Sequence, residues 1–155
     1  MAELQRAYDE LGGQAGATKK EGNREYVYAY AAAAETVGKV RVITFDGDEE
    51  TNPTAGSPAT ETTVYQQTGV ATKTTTAAGF LWYQTKGDAE ALVEGTTDVA
   101  KDDFLEVLTT ETSFKKDGTS ITTNAVAIAQ EAQAANSSVL TNVYLLGVRT
   151  FVAAS

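Results

Sequence analysis

The stretch GFLWYQTKGDAEALVEG, Gly79 to Gly95, decides how this chain is read. Phe80, Leu81, Trp82 and Tyr83 stand together, so the segment opens apolar on both faces, as a strand in the middle of a sheet does. Lys86-Gly87-Asp88 then reads as a tight turn, and Asp88 to Val93 as a second, short strand. Trp82 is the single tryptophan of the chain. With apolar neighbours on both sides it reads as core ahead of ligand platform.

Working outward, the same period-2 texture recurs. In REYVYAYA, Tyr26, Tyr28 and Tyr30 alternate with Val27, Ala29 and Ala31. VGKVRVITF, Val37 to Phe45, sets Val40, Val42 and Thr44 against Arg41, Ile43 and Phe45. Between these two strands, Ala32 to Glu35 has helix propensity but is short. Asp46 to Ala59, with Gly47, Pro53, Gly56 and Pro58, reads as a long loop. Glu61 to Thr76 is rich in β-branched residues, and TKTTTAAG suits an exposed or edge strand.

After a turn from Gly95 to Asp103, FLEVL (Phe104 to Leu108) is strand-like, and Lys115 to Thr119 reads as a polar turn around Asp117-Gly118. Residues 124–135 carry both helix propensity and alternation; Val126 and Ile128 against Ala125, Ala127 and Ala129 favour a strand with one small face, to about Ala129. VLTNVYLLGV, Val139 to Val148, is a strongly apolar last strand. Short strands with turns every 8–12 residues predict a mainly β fold, a compact β-barrel or β-sandwich.

The N-terminus differs. Leu4, Ala7, Tyr8 and Leu11 share one helical face, and Gly12-Gly13 supplies a stop, so Met1 to Leu11 is expected as a short helix. Gln14 to Asn23 is small and polar and reads as a flexible arm. The organisation expected is therefore residues 1–25 as helix and arm, and residues 26–155 as a single β domain.

Composition narrows the function classes. The chain has 155 residues, enough to bury roughly 70% of its unfolded surface without a disulfide or metal. Alanine and threonine dominate, so the core is expected to draw on the larger side chains. Twelve basic against twenty-one acidic residues give a net charge of −9, which disfavours nucleic acid as a partner. No apolar run is long enough to span a membrane, and the first residues lack a secretory pattern.

Histidine and cysteine are both absent, which excludes Ser–His–Asp and Cys–His catalysis and imidazole or thiolate metal sites. No phosphate-binding glycine motif is present. Asp46, Asp48, Glu49 and Glu50 are the densest acids. They read as a solvated loop rather than a Ca²⁺ site, since an EF-hand spacing is missing. No enzyme, cofactor or metal is expected.

The segment order in the C-terminal half carries a resemblance. GFLWYQTKGDAEALVEGTT, then KDDFLEVL, then TTNAVAIAQEA, then SVLTNVYLLG resembles the capsid decoration, or cement, proteins of tailed bacteriophages. The likeness runs from about Thr68 to Gly147. It implies a compact β-barrel or sandwich, a homotrimer on the outer capsid surface of the virion, synthesis in the host cytoplasm, and the major capsid protein as partner.

Under that resemblance, Leu4, Tyr8, Leu11, Lys19, Lys20 and Arg24 are the expected capsid-binding residues. Tyr26, Tyr28 and Tyr30 are the expected subunit interface, because tyrosine brings large area at small entropic cost. The alternative is a phage tail, spike or fibre module with carbohydrate-binding loops, which copy number would separate from a capsid coat; a carbohydrate-binding module is a further rival, for which Trp82 or Tyr83 would have to be exposed.

Overall fold

The computed structural model describes residues 16–45, 54–56, 65–94, 98–107, 112–118, 125–134, 138–147 and 149–151. These residues form eleven β-strands and no helix. The strands are β1 (Thr18–Glu21), β2 (Arg24–Ala31), β3 (Val40–Phe45), β4 (Thr54–Gly56), β5 (Tyr65–Ala71) and β6 (Gly79–Val93). Then follow β7 (Phe104–Val107), β8 (Phe114–Gly118), β9 (Ala127–Ala129), β10 (Val139–Leu146) and β11 (Arg149–Phe151). The mainly β expectation holds, and the sheet closes into a barrel. The expected helix over Met1 to Leu11 and the acids Asp46 to Glu50 lie outside the described residues.

The decisive segment is one strand, not a hairpin. β6 runs for 15 residues through Lys86-Gly87-Asp88. Two ladders override the turn chemistry of those three residues. β10 pairs with β6 from Lys86 to Val93, with Leu145 opposite Gly87. β2 pairs with its first half, Tyr28 opposite Trp82. Where the ladders change over, Thr85 is an extra residue between Glu25↔Lys86 and Tyr26↔Gln84, a β-bulge. The Thr85 hydroxyl donates to the Glu25 carbonyl at 3.3 Å. Gly87 takes φ +92°, and a Cβ there would sit 2.6 Å from the Asn23 carbonyl oxygen. Strand β6 therefore bends without breaking.

Because β6 has partners along both halves, it belongs to two closed circuits. In the first, β2 pairs β4, β4 pairs β3, β3 pairs β5, β5 pairs β6, and β6 returns to β2. In the second, β6 pairs β10, β10 pairs β9, β9 pairs β7, β7 pairs β8, and Phe114 of β8 meets Val93 of β6. Among the described residues, closure pairs strand edges that an open sheet would leave free.

Each circuit has its own buried cluster. Val27, Ala29, Ala31, Ile43, Ala71, Leu81 and Tyr83 fill the first. The second is built around Phe114, Leu105, Val93, Val143 and Leu145, and takes Val40 and Val70 from the strands of the first. The larger side chains lead both clusters, as composition predicts, and alanine joins them as a true core residue. Ala125, Ala127 and Ala129 all point inward while Val126 and Ile128 stay half-buried. A circuit of five strands leaves a narrow interior in which small side chains are the ones that fit.

Other expectations are corrected by pairing. Thr18–Glu21 is a strand on β2, so this part of the expected arm is sheet. Thr54–Gly56 bridges β2 and β3 inside the expected loop. Residues 72–78 are loop and not edge strand. The Thr72 hydroxyl donates to the Trp82 carbonyl at 2.6 Å, and those of Thr74 and Thr75 accept from the Val37 and Glu35 amides. Lys115 to Gly118 is strand rather than turn, paired with β7.

Candidate functional site

Period 2 on β2 and β6 sorts their side chains cleanly. Tyr26, Tyr28 and Tyr30 share the face opposite Val27, Ala29 and Ala31, and register places them beside Trp82 and Phe80. The result is an aromatic ladder. Tyr28 stacks on Phe80 with centroids 5.5 Å apart and meets Trp82 at 4.8 Å; Tyr30 meets Phe80 edge-on at 5.2 Å. The three tyrosines expected at a subunit interface differ in access. Tyr26 and Tyr28 are covered, and only Tyr30 is exposed, at 37%.

The expected basic patch is dispersed by the β1–β2 hairpin. The Lys19 ammonium lies 5.0 Å from the Tyr26 ring and 4.6 Å from the Trp82 ring, and 3.5 Å from Glu21. Lys20 faces Glu25 at 3.8 Å and stays exposed. Arg24 is exposed as well. Leu4, Tyr8 and Leu11 lie outside the described residues.

Beside the ladder, the bend of β6 makes a groove of about 580 Å³. Trp82, Gln84, Asp88, Arg24, Gln130 and Asn142 are among its lining residues. Its polar groups mostly serve one another. Gln130 Nε2 donates to Asp88 Oδ1 at 2.6 Å, Asn23 Nδ2 donates to Asp88 Oδ2 at 3.2 Å, and Gln84 Nε2 donates to the Asp88 carbonyl at 2.7 Å. The Gln130 and Asn23 hydrogen bonds hold the Asp88 carboxyl below the usual range. Trp82 Nε1 is buried with no hydrogen-bond partner. Tyr83 is fully buried, so it offers no platform for a sugar ring.

A second polar constellation sits inside the first circuit, and sequence reading missed it. Glu35 is 2% exposed. Its Oε2 accepts from Arg41 Nε at 3.0 Å and from the Tyr83 hydroxyl at 2.8 Å; its Oε1 accepts from Arg41 Nη2 at 3.0 Å. Burial pushes the Glu35 carboxyl up, but the hydrogen bonds from Arg41 and Tyr83 and the Arg41 charge outweigh it, and the net direction is down. Burial and the Glu35 carboxylate push the Tyr83 phenol the other way, far above its ordinary value. A carboxylate fixed by three side-chain donors and a phenol that keeps its proton form a structural node, poorly suited to proton transfer at neutral pH. The signal available in sequence was Arg41, which shares a strand face with the buried Ile43 and so demands a buried partner.

Asp103 is held in a comparable way. Asp103 Oδ2 accepts from Lys116 at 2.9 Å and from the Ala100 amide at 2.8 Å. Those two bonds, Lys116 first, hold its carboxyl low. Among the described residues no cluster of acids is placed to hold a metal, and no helix is long and apolar enough to cross a membrane. No protein-family model matches this chain, and no curated protein is detectably similar to it.

Proposed function

We propose that this chain is a bacteriophage capsid decoration protein, which binds the outer surface of the shell and bridges major capsid protein subunits. What supports the reading above all is that the four segments carrying the resemblance contain, in the same order, β6, β7, β9 and β10. They are four of the five strands of one closed circuit. A closed circuit of paired strands is the kind of rigid body that a cement protein requires.

The proposed capsid contact uses the exposed cations Lys20 and Arg24 on the β1–β2 hairpin, with Lys19, and Leu4, Tyr8 and Leu11 before it. Exposed Tyr30 is the proposed contact within a homotrimer, and Tyr26 and Tyr28 support it from beneath. Bound subunits stabilise the shell by mass action, and many symmetric contacts supply avidity.

The test is copy number in purified particles by quantitative mass spectrometry. Near one copy per capsid subunit is the expected result. A handful of copies moves the reading to a tail, spike or fibre component, and absence from particles overturns both. Readdition to particles stripped of the protein supplies the residue-level test. K20E/R24E is expected to weaken rebinding about tenfold or more at low salt, with the difference shrinking as salt screens it.

A further inference from the structure

The segment Glu35 to Val40 is short, yet its backbone bonds to four separate parts of the fold. The Gly38 amide donates to the Ala71 carbonyl at 2.9 Å, and the Ala71 amide donates to Lys39 at 3.0 Å. The Leu92 amide, on the second half of β6, donates to Gly38 at 2.8 Å. The Val40 amide donates to Thr112, just ahead of β8, at 2.8 Å. Val37 donates to the Thr74 hydroxyl at 3.1 Å, and Glu35 and Thr75 exchange bonds of 2.9 and 2.8 Å. Apart from the shared strand β6, this segment is therefore a second strap between the two circuits.

The strap has one charged anchor, and it lies on the first circuit. Glu35 is its buried end, held by Arg41 of β3 and the Tyr83 hydroxyl of β6. A Glu35 oxygen also accepts from the Thr36 amide at 3.3 Å. Every other bond of the strap is a single neutral hydrogen bond, of the kind that contributes modestly by itself. The charged node is the strong one, since hydrogen bonds between ionised groups are roughly twice as strong as neutral ones.

We propose that Glu35 is a releasable clasp: removing its charge frees the strap Glu35 to Lys39 as a unit, up to the start of β3, while the strands of both circuits stay paired. The charged and titratable groups that act on Glu35 are Arg41 from β3 and Tyr83 from β6; the segment Thr74–Thr75 meets it with neutral groups. Protonation leaves Arg41 half-buried beside a neutral acid. The three side-chain donors that converge on the carboxylate, and the Thr36 amide, then lose the charge that holds them. The strap opens locally, and the exposed Val37, with Leu140 beside Gly38, gains freedom on the surface.

The sign follows from the direction of the shift. A folded-state carboxyl held below its ordinary value of 4.5 contributes stability above that pH. The contribution disappears as pH falls further, through the lower folded value. The clasp is therefore closed at neutral pH and opens only in acid.

Amide hydrogen exchange on the full chain, corrected for intrinsic rates, tests this without any capsid. In Glu35→Gln at neutral pH, the Gly38, Val40 and Leu92 amides are expected to exchange about tenfold faster or more, the size a lost charged hydrogen bond implies. The Val126, Gln130 and Leu146 amides, bonded within the second circuit, are expected to stay at wild-type rates. The wild type is expected to acquire the same pattern in acid, and E35Q to lose that acid response. Asp88 and Asp103 titrate in the same direction, so an acid response of the strap that persists in E35Q overturns the proposal. So does faster exchange spread evenly over both circuits. If E35Q does not fold, Tyr83→Phe removes one of the three donors. A smaller rise confined to the strap then supports the clasp, and no confined rise overturns it.

Discussion

At the residue scale, the backbone is strained where a side chain is forced into left-handed geometry. Asp102 has φ +73° and is the one such non-glycine residue among those described. Its amide donates to the Ala129 carbonyl at 2.8 Å, which fixes the turn that leads into β7. Its side chain is exposed, in contrast to Asp103, which is tied to Lys116. A left-handed conformation costs an L-residue roughly 1–2 kcal/mol, less for Asp, and costs glycine almost nothing. Glycine gives back part of that gain by loosening the unfolded chain. Asp102→Gly is therefore expected to raise stability by about 0.5–1 kcal/mol, read as a higher urea midpoint with unchanged m-value. A lower midpoint would mean that the Asp102 carboxylate makes a contact that outweighs the strain.

Among the elements, β6 carries the most consequence. Its Gly87 is a hinge inside a continuous strand. Alanine there must adopt φ +92° and also push against the Asn23 carbonyl. Gly22 has a similar φ, +62°, in the β1–β2 turn, but open space around it. Gly22→Ala is expected to cost about 1 kcal/mol from conformation alone. Gly87→Ala is expected to cost about 2–4 kcal/mol, because steric overlap with backbone adds to the same strain. Thermal melts of the two variants check the order. Equal costs would show that the backbone at Asn23 yields freely.

This is also the element at which sequence and structure part. Period 2 made β2, β3 and β9 legible, because each has one face in a core, and apolar texture did the same for β7 and β10. The Lys86-Gly87-Asp88 turn was misread because a glycine with polar flanks serves a hairpin and a bulged bend alike. Only the partner ladders decide between them, and they come from Leu145 and Glu25, far away in sequence. β4 and β8 were missed for the same reason: TAG and FKKDG have little strand propensity and are held by their neighbours. The aromatic ladder was half legible. The shared face of Tyr26, Tyr28 and Tyr30 followed from spacing, whereas burial of the first two required Phe80, Trp82 and Lys19 to be in place. The Glu35 node was hidden in an alanine-rich tract that read as short helix.

For the whole molecule, the question is whether two circuits mean two folding units. Their cores are distinct, but β6 contributes Leu81 and Tyr83 to one and Ala91 and Val93 to the other. Val40 and Val70 leave strands of the first circuit to pack in the second. Neither core can be dismantled without taking apart a strand of the other. The chain is therefore expected to unfold in one transition, with local opening limited to segments such as the strap. Trp82 makes this testable, because it is the single tryptophan and lies on the first half of β6. Phe114→Ala empties part of the second core, where Phe114 is fully buried, and is expected to cost about 3–5 kcal/mol. If the circuits are one unit, the midpoint of Trp82 fluorescence shifts as far as that of far-UV circular dichroism. A variant in which circular dichroism shifts while Trp82 keeps its wild-type midpoint would mean that the second circuit melts alone. The shared strand would then be a linker between domains rather than a common spine. The first outcome is the one the proposed capsid role requires, because load on either circuit is then opposed by both cores.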